Sequence, residues 1–384
     1  MIEKALSGNK QYWILIFCII AIILIGFVAY LYQLREGLGI TGMSRDVSWG
    51  LYIAQMTFLV GVAASAVMVV LPYYLHDYKA FGKLTILGEF LAIPAVIMCG
   101  LFIMVDLGQP ARWMNIILYP TPGSVMFWDM ISLMGYLILN IVIGWTTLGA
   151  ERKSVAPPKW IKPLIYISIP WAVSIHTVTA FLYSGIGGRS FWFTAIMAPR
   201  FLASAFAAGP ALLILLCFII RKVSSFDPGK DAIQTLAKIV TYAAVINLFF
   251  LLVEIFTVFY SGIEEHMRHF EYLFLGLHGK NSIAPFMWIS VILAVISITL
   301  LLFPQTRNKK NTLVIACIGV FISIWLEKGL GMVITGFIPS TLETITEYMP
   351  TLPEIIITIG IYGIGAFILT VLYKIVISIR EQEA

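Results

Sequence analysis

Ten stretches of this chain are apolar on every face of a helix, and short polar stretches separate them. They run over about 11–33, 50–75, 83–106, 125–148, 161–184, 197–221, 235–260, 285–304, 312–335 and 355–378. Each is close to the roughly 20 residues that a helix needs to cross the hydrocarbon layer of a bilayer. Lipid offers no partner for backbone N–H and C=O groups, so spans of this kind must be helices rather than open sheet. The pattern therefore predicts an all-α integral membrane protein of about ten transmembrane helices. A large soluble helical core would show one-sided apolar stripes at helical spacing instead. The first stretch reads as a retained helix and not a cleaved signal, because Gln33-Leu34-Arg35-Glu36 follows it where a small-residue cleavage site would stand.

Composition strengthens this reading. Of 384 residues, 60% are hydrophobic and 12% are charged, where a soluble domain carries about a quarter charged residues. Mean hydropathy is +0.94. A soluble enzyme is excluded.

Charge adds an orientation. Of the 25 Lys and Arg, sixteen lie in the termini and in the connections at 76–83, 149–163, 221–231 and 305–311, and seven lie in the opposite set. The positive-inside rule then places both termini in the cytoplasm, in a multi-pass protein of the cytoplasmic membrane. This bias accounts for the net charge of +5, so no nucleic-acid partner is inferred from it. The opposite connections, at 34–49, 107–124, 185–200, 261–284 and 336–354, are longer and rich in Gly, Pro and aromatic residues. An outer site is expected there.

Cysteine and histidine limit the chemistry. Cys18, Cys99, Cys217 and Cys317 fall in four different spans, whereas an iron–sulfur cluster needs thiolates grouped in space. Only His176 of the five histidines lies within a span, and a membrane haem with two axial imidazoles needs a pair. Neither a haem, a cluster nor another metal site is expected in this chain.

Ionisable residues inside the spans are the informative ones. Each costs on the order of 3 kcal/mol at mid-helix and usually has a partner or a function. Asp106 ends the third span and Asp129 begins the fourth at the same outer depth. His176 and Glu254 sit in the outer halves of the fifth and seventh spans, and Glu327 and Lys328 in that of the ninth. Glu89 lies near the inner end of the third. Structural pairing, Lys328 with Glu254 for instance, or pairing of either Asp with Arg112, is one reading. The other is a proton route through Glu89, Glu254, Glu327 and Lys328. Trp49, Tyr52 and Trp128 belong to an aromatic layer at the outer level, which most membrane proteins possess.

Several segments carry a family likeness. Val105-Asp106-Leu107-Gly108-Gln109-Pro110-Ala111-Arg112-Trp113, followed by Pro122-Gly123-Ser124-Val125-Met126-Phe127-Trp128-Asp129, resembles the signature of the polysulfide reductase membrane-subunit (NrfD-like) family. Trp49-Gly50-Leu51-Tyr52 running into Gly61-Val62-Ala63-Ala64-Ser65 is similar to the family's first bundle helix, and the likeness extends over about 45–380. Within the family, the ending Glu327-Lys328-Gly329-Leu330 and Pro350-Thr351-Leu352-Pro353-Glu354 is most similar to the DsrP branch, which serves dissimilatory sulfur metabolism. The Hmc- and Hme-type branches are also similar.

The resemblance implies two four-helix bundles. The expected units are 1–49 with a flanking helix, 50–184, 185–335, and 336–384 with a second flanking helix. It also implies a menaquinol site near the outer surface, with no haem or iron–sulfur cluster in the chain itself. Asp106, Asp129 and His176 would be the polar site residues, and Trp49, Tyr52, Gln55, Arg112 and Trp128 would line the pocket. The implied partners are a ferredoxin-like iron–sulfur subunit on the outer face, a multihaem cytochrome c, a haem b membrane subunit and a cytoplasmic iron–sulfur subunit. A carboxylate or imidazole against the ring oxygens suits quinol oxidation, because the leaving protons need an acceptor within hydrogen-bond reach. The same site could run as a quinone reductase. Ten helices in two similar bundles also suit a secondary transporter. The gathering of ionisable groups toward one surface speaks for a one-sided redox site.

Overall fold

The computed structural model describes residues 2–383. Ten helices long and apolar enough to cross a membrane follow one another: α1 (Lys10–Glu36), α2 (Leu51–Leu75), α3 (Lys79–Asp106), α4 (Val125–Glu151), α5 (Ile161–Ser184), α6 (Met197–Val223), α7 (Lys230–Ser261), α8 (Ala284–Leu302), α9 (Lys310–Thr335) and α10 (Leu352–Glu383). Each matches one of the apolar stretches, with ends displaced by a few residues. The chain is an all-α integral membrane protein. One of its ends is lined by short basic connections; the other carries the long connections and is the loop-rich end.

Helix contacts close into two rings. In the first, α2 packs on α3, α3 on α4, α4 on α5 and α5 back on α2. In the second, α6 packs on α7, α7 on α8, α8 on α9 and α9 back on α6. The rings meet through α2 against α6 and α9, and through α5 against α6. α1 and α10 pack on each other, and it is mainly α10 that ties the pair to the first ring, through α3 and α2.

Burial follows from these positions. Only 17% of the apolar window of α1 is buried within the protein, against 89% for α2. Lipid covers α1, whereas α2 is surrounded by protein and is the central element. Small residues allow its close crossing with α6. Gly61 faces Ala205, where an added Cβ would lie 3.5 Å from the Ala205 Cα. One turn on, a Cβ at Gly209 would lie 3.0 Å from the Ser65 backbone nitrogen. Without a hydrophobic drive between helices in lipid, this small-residue fit supplies the packing.

The loop-rich end departs from the sequence expectation in one respect. The connection 261–284 contains a helix, Glu264–Phe274, with His269, Phe270, Tyr272 and Leu273 buried. It is amphipathic, so no unbroken apolar run announces it. Arg268 on this helix bridges Glu264 and Glu343, and Lys280 reaches Glu347. The acidic connection 336–354 is thus neutralised by the basic residues of its neighbour. His269 Nδ1 lies 3.0 Å from the Thr335 carbonyl and 2.8 Å from that of Ile338. Carbonyls only accept, so Nδ1 carries the proton. Burial, more than any neighbouring charge, holds this imidazole below the usual histidine range.

The start of α10 is tied into the same end. Glu354 supplies one half of a capping box, in which its carboxylate accepts from the Thr351 N–H at 2.9 Å. The fully buried carboxylate also accepts from the Gly42 N–H at 2.6 Å and the Tyr348 hydroxyl at 2.7 Å. The distant Gly42 segment and the connection that leads into α10 thus meet on one side chain.

Candidate functional site

A cavity of about 440 Å³ opens at the loop-rich end between α3 and α4. Val96, Gly100 and Ile103 of α3 form one wall, and Met126, Asp129, Met130 and Leu133 of α4 the other. The connection 107–124 folds over it through Arg112, Trp113, Ile116, Tyr119 and Thr121. Gly100 leaves room here, since a Cβ at that position would meet nothing within 4 Å.

Asp129 is the polar centre of this cavity. It lies one turn into α4 and is 3% exposed. Its Oδ1 accepts from the Thr179 hydroxyl of α5 at 2.6 Å, and among the described residues Oδ2 receives no protein donor. A buried carboxylate held by one fixed donor, with its second oxygen unbonded by the protein and its side chain lining a largely apolar cavity, is placed to exchange a proton with a bound molecule. The arrangement is braced from below, where Trp171 Nε1 of α5 donates to the Ser132 carbonyl at 2.8 Å.

Other expected site residues are distributed more widely. Arg112 lines the cavity but is exposed, and among the described residues no ion pair joins it to Asp106 or Asp129. Trp128 points outward, 50% exposed, and donates to the Pro122 carbonyl at 2.8 Å. Asp106 ends α3 and is not among the cavity's lining residues; its Oδ1 is buried and unpartnered. Tyr52 is fully buried and donates to Gln33 of α1 at 2.6 Å, while Gln33 Nε2 donates to the Val105 carbonyl at 2.7 Å. Trp49 stacks on Trp192 at 5.7 Å and meets Tyr183 edge-on at 5.5 Å. Tyr183 in turn is bonded to the Thr57 hydroxyl. His176 is fully buried with neither ring nitrogen bonded. The histidine-to-carbonyl bond that would mark a purely structural imidazole is not formed. Gln55 lines a different cavity.

The second ring holds a charge cluster that sequence reasoning resolves only in part. Arg200, which the hydropathy pattern leaves in a connection, lies in the first turn of α6 and is 8% exposed. It pairs with Glu254 of α7 and, at 2.6 Å, with Glu327 of α9. Asn247 Nδ2 donates to the other Glu327 oxygen at 2.9 Å. Arg200, and not Lys328, is therefore the partner of Glu254. Lys328 instead lies 4.1 Å from the Phe201 ring centroid and donates to the Phe201 carbonyl at 3.4 Å. A π-helical stretch of α9, Trp325–Gly331, carries both Glu327 and Lys328. Its wider turn aims Glu327 into the second ring and Lys328 toward the seam between rings, a use of π-turns common at functional sites. Beside Glu327 a void of about 20 Å³, lined also by Asn247 and Ser290, has room for one water. Glu89 stands apart in α3 near the basic end, buried against Gly144, with Oε2 unpartnered.

Two side-by-side helical rings with a carboxylate-lined cavity toward one end define a class, that of polytopic helical membrane proteins. The particular family is shown by sequence. Residues 39–339 match the NrfD family, described as polysulphide reductase, NrfD, and the chain belongs to it. It is similar to a selenate reductase subunit of Mesobacillus selenatarsenatis, 22% identical across 94% of this chain and 93% of that one. A candidate dimethyl sulfoxide reductase membrane subunit of Halobacterium salinarum is 25% identical across 90% of this chain and 87% of its own length. The Hdr-like menaquinol oxidoreductase integral membrane subunit of Archaeoglobus fulgidus is 24% identical across 65% and 62%. The relatives are membrane subunits of reductases and oxidoreductases.

Proposed function

We propose that this chain is the quinol-binding membrane subunit of a respiratory redox complex, which oxidises menaquinol in the α3–α4 cavity and passes the electrons to an iron–sulfur partner subunit. The observation that carries it is Asp129, a buried carboxylate that lines a largely apolar cavity and has only one oxygen engaged by the protein among the described residues. Such a cavity is of the size and polarity that hold a drug-sized or cofactor ring. The hydroquinone gives up two electrons and two protons, and Asp129 Oδ2 takes a proton from the nearer ring hydroxyl. Thr179 keeps the carboxylate in the orientation that presents this oxygen. The name of the Archaeoglobus fulgidus relative supports menaquinol as the substrate class.

The loop-rich end faces outward on this reading, which follows from the basic residues at the other end. The iron–sulfur subunit then docks over the cavity. The likeness of the chain's ending to the DsrP branch supports dissimilatory sulfur metabolism as the setting, with haem-bearing partner subunits in the same complex. Asp106 and His176, buried but outside the cavity lining, serve on this proposal as relays for the released protons. Glu89, Glu254, Glu327 and Lys328 are the groups that a route across the membrane would use.

The test is Asp129→Asn in the intact complex, assayed with a water-soluble menaquinol analogue. Removing a general base lowers turnover by about 10²–10⁴-fold. The protein should still insert and assemble. Turnover within a few-fold of the wild type would show that the proton acceptor is another residue.

A further inference from the structure

A second and larger cavity, of about 600 Å³, is enclosed by α2, α8, α9 and α10 under residues 348–350. It shares no lining residue with the Asp129 cavity. Its walls are apolar, with Phe286, Phe321, Ile355 and Ile359 prominent among them. Phe286 and Ile359 are also 45% and 51% exposed on the outer surface of their spans, so the mouth opens toward lipid.

Two buried polar groups interrupt this wall. Gln55 of α2 is 0% exposed and Thr358 of α10 is 8% exposed. The Gln55 Oε1 accepts from Trp325 Nε1 at 2.7 Å and from the Tyr362 hydroxyl at 2.7 Å. An indole N–H can only donate, so the amide is held in one orientation and its NH₂ group is turned away from both partners. That nitrogen has no partner, and neither has the Thr358 hydroxyl. Buried donors are almost always satisfied. Here two of them line one cavity that opens to the bilayer.

We propose that this cavity is a second binding site, which holds a tailed amphiphile by its carbonyl oxygen through the Gln55 amide and the Thr358 hydroxyl. No carboxylate or imidazole is among its lining residues. It therefore has no proton acceptor for hydroquinone and binds without chemistry, in contrast to the Asp129 cavity. Its volume suits a ring or glyceride head with the first part of a tail. An oxidised isoprenoid quinone and a diacyl glycerolipid both present a carbonyl on an apolar chain.

The experiment uses the full chain in nanodiscs with an azido-naphthoquinone photolabel, mapped by peptide mass spectrometry. Discs of diether lipid lack ester carbonyls, and discs of diester lipid contain them. Saturable labelling of peptides that carry Phe286, Trp325 or Tyr362 is expected in the diether discs. Thr358→Val should lower it by about tenfold, the worth of one hydrogen bond. Thr358→Ser should restore it. Labelling near Trp113 and Phe127 in the Asp129 cavity stays unchanged and reports that each variant is folded. Equal labelling in both discs identifies quinone as the preferred occupant, and suppression by diester lipid identifies the glycerolipid ester. No saturable label at these peptides in either disc, or label indifferent to both Thr358→Val and Gln55→Leu, overturns the proposal.

Discussion

Glu254 and Glu327 are each 5–6% exposed, and Arg200 stands between them. A buried ion pair adds little net stability, but stripping one partner leaves a bare charge and costs about 3–5 kcal/mol. Arg200→Leu should therefore destabilise the protein by that amount, read as a lower thermal midpoint in detergent. Glu254→Gln, which leaves the Arg200–Glu327 pair and a neutral amide, should cost markedly less. Equal losses for the two variants would mean that the cluster is not organised around Arg200. Glu327 and Lys328 are legible in the sequence because each interrupts an apolar run. Arg200 is not, since only three residues precede it in α6 and a basic residue at a span edge reads as an interfacial anchor. Asn247 escapes for a different reason: a neutral amide leaves no mark in a charge pattern. Asp129 is visible, but its cavity is not. That space exists only because 107–124 folds back over α3 and α4, which neither span shows alone.

At the level of elements, the crossing of α1 and α10 depends on two glycines. A Cβ on Gly26 would lie 2.5 Å from the Gly360 Cα, a backbone contact that cannot yield. Farther along the seam, Gly363 faces Ile23, where an added Cβ would lie 3.1 Å from the Ile23 side chain. Gly26→Leu should part the two helices while sparing both rings, because α1 touches them mainly through α10. Disulfide formation in an Ile23→Cys, Gly363→Cys pair should then fall by about tenfold or more, against efficient closure with Gly26 intact; the Cα separation a disulfide tolerates is narrow, about 4.4–6.8 Å. Undiminished closure would refute the close-contact account. Ten helices are legible because hydropathy and length suffice in lipid. The amphipathic helix Glu264–Phe274 and the π-turn in α9 are not. The first lies outside any apolar run, and the second is a change of hydrogen-bond register that leaves the residues themselves unaltered.

For the whole molecule, orientation is the open property with the most direct test. If the loop-rich end faces outward, Tyr260→Cys, at a position 81% exposed beside that end, should react with a membrane-impermeant maleimide in intact cells. Lys159→Cys, in an exposed connection at the basic end, should react only after the cells are broken. The reverse pattern would invert the proposed placement of the quinol site and its partner. The pairing of helices into rings follows no local sequence feature, as it is decided by which small faces fit. The position of α2 has a consequence for biogenesis. It leaves the ribosome second, yet its neighbours α6 and α9 are the fourth and seventh spans to follow it. Until then Ser65 and the Lys328-facing side of Gly61 have only lipid or the insertion machinery for company. A chain that ends after α5 thus displays a finished length of helix with an unfinished surface.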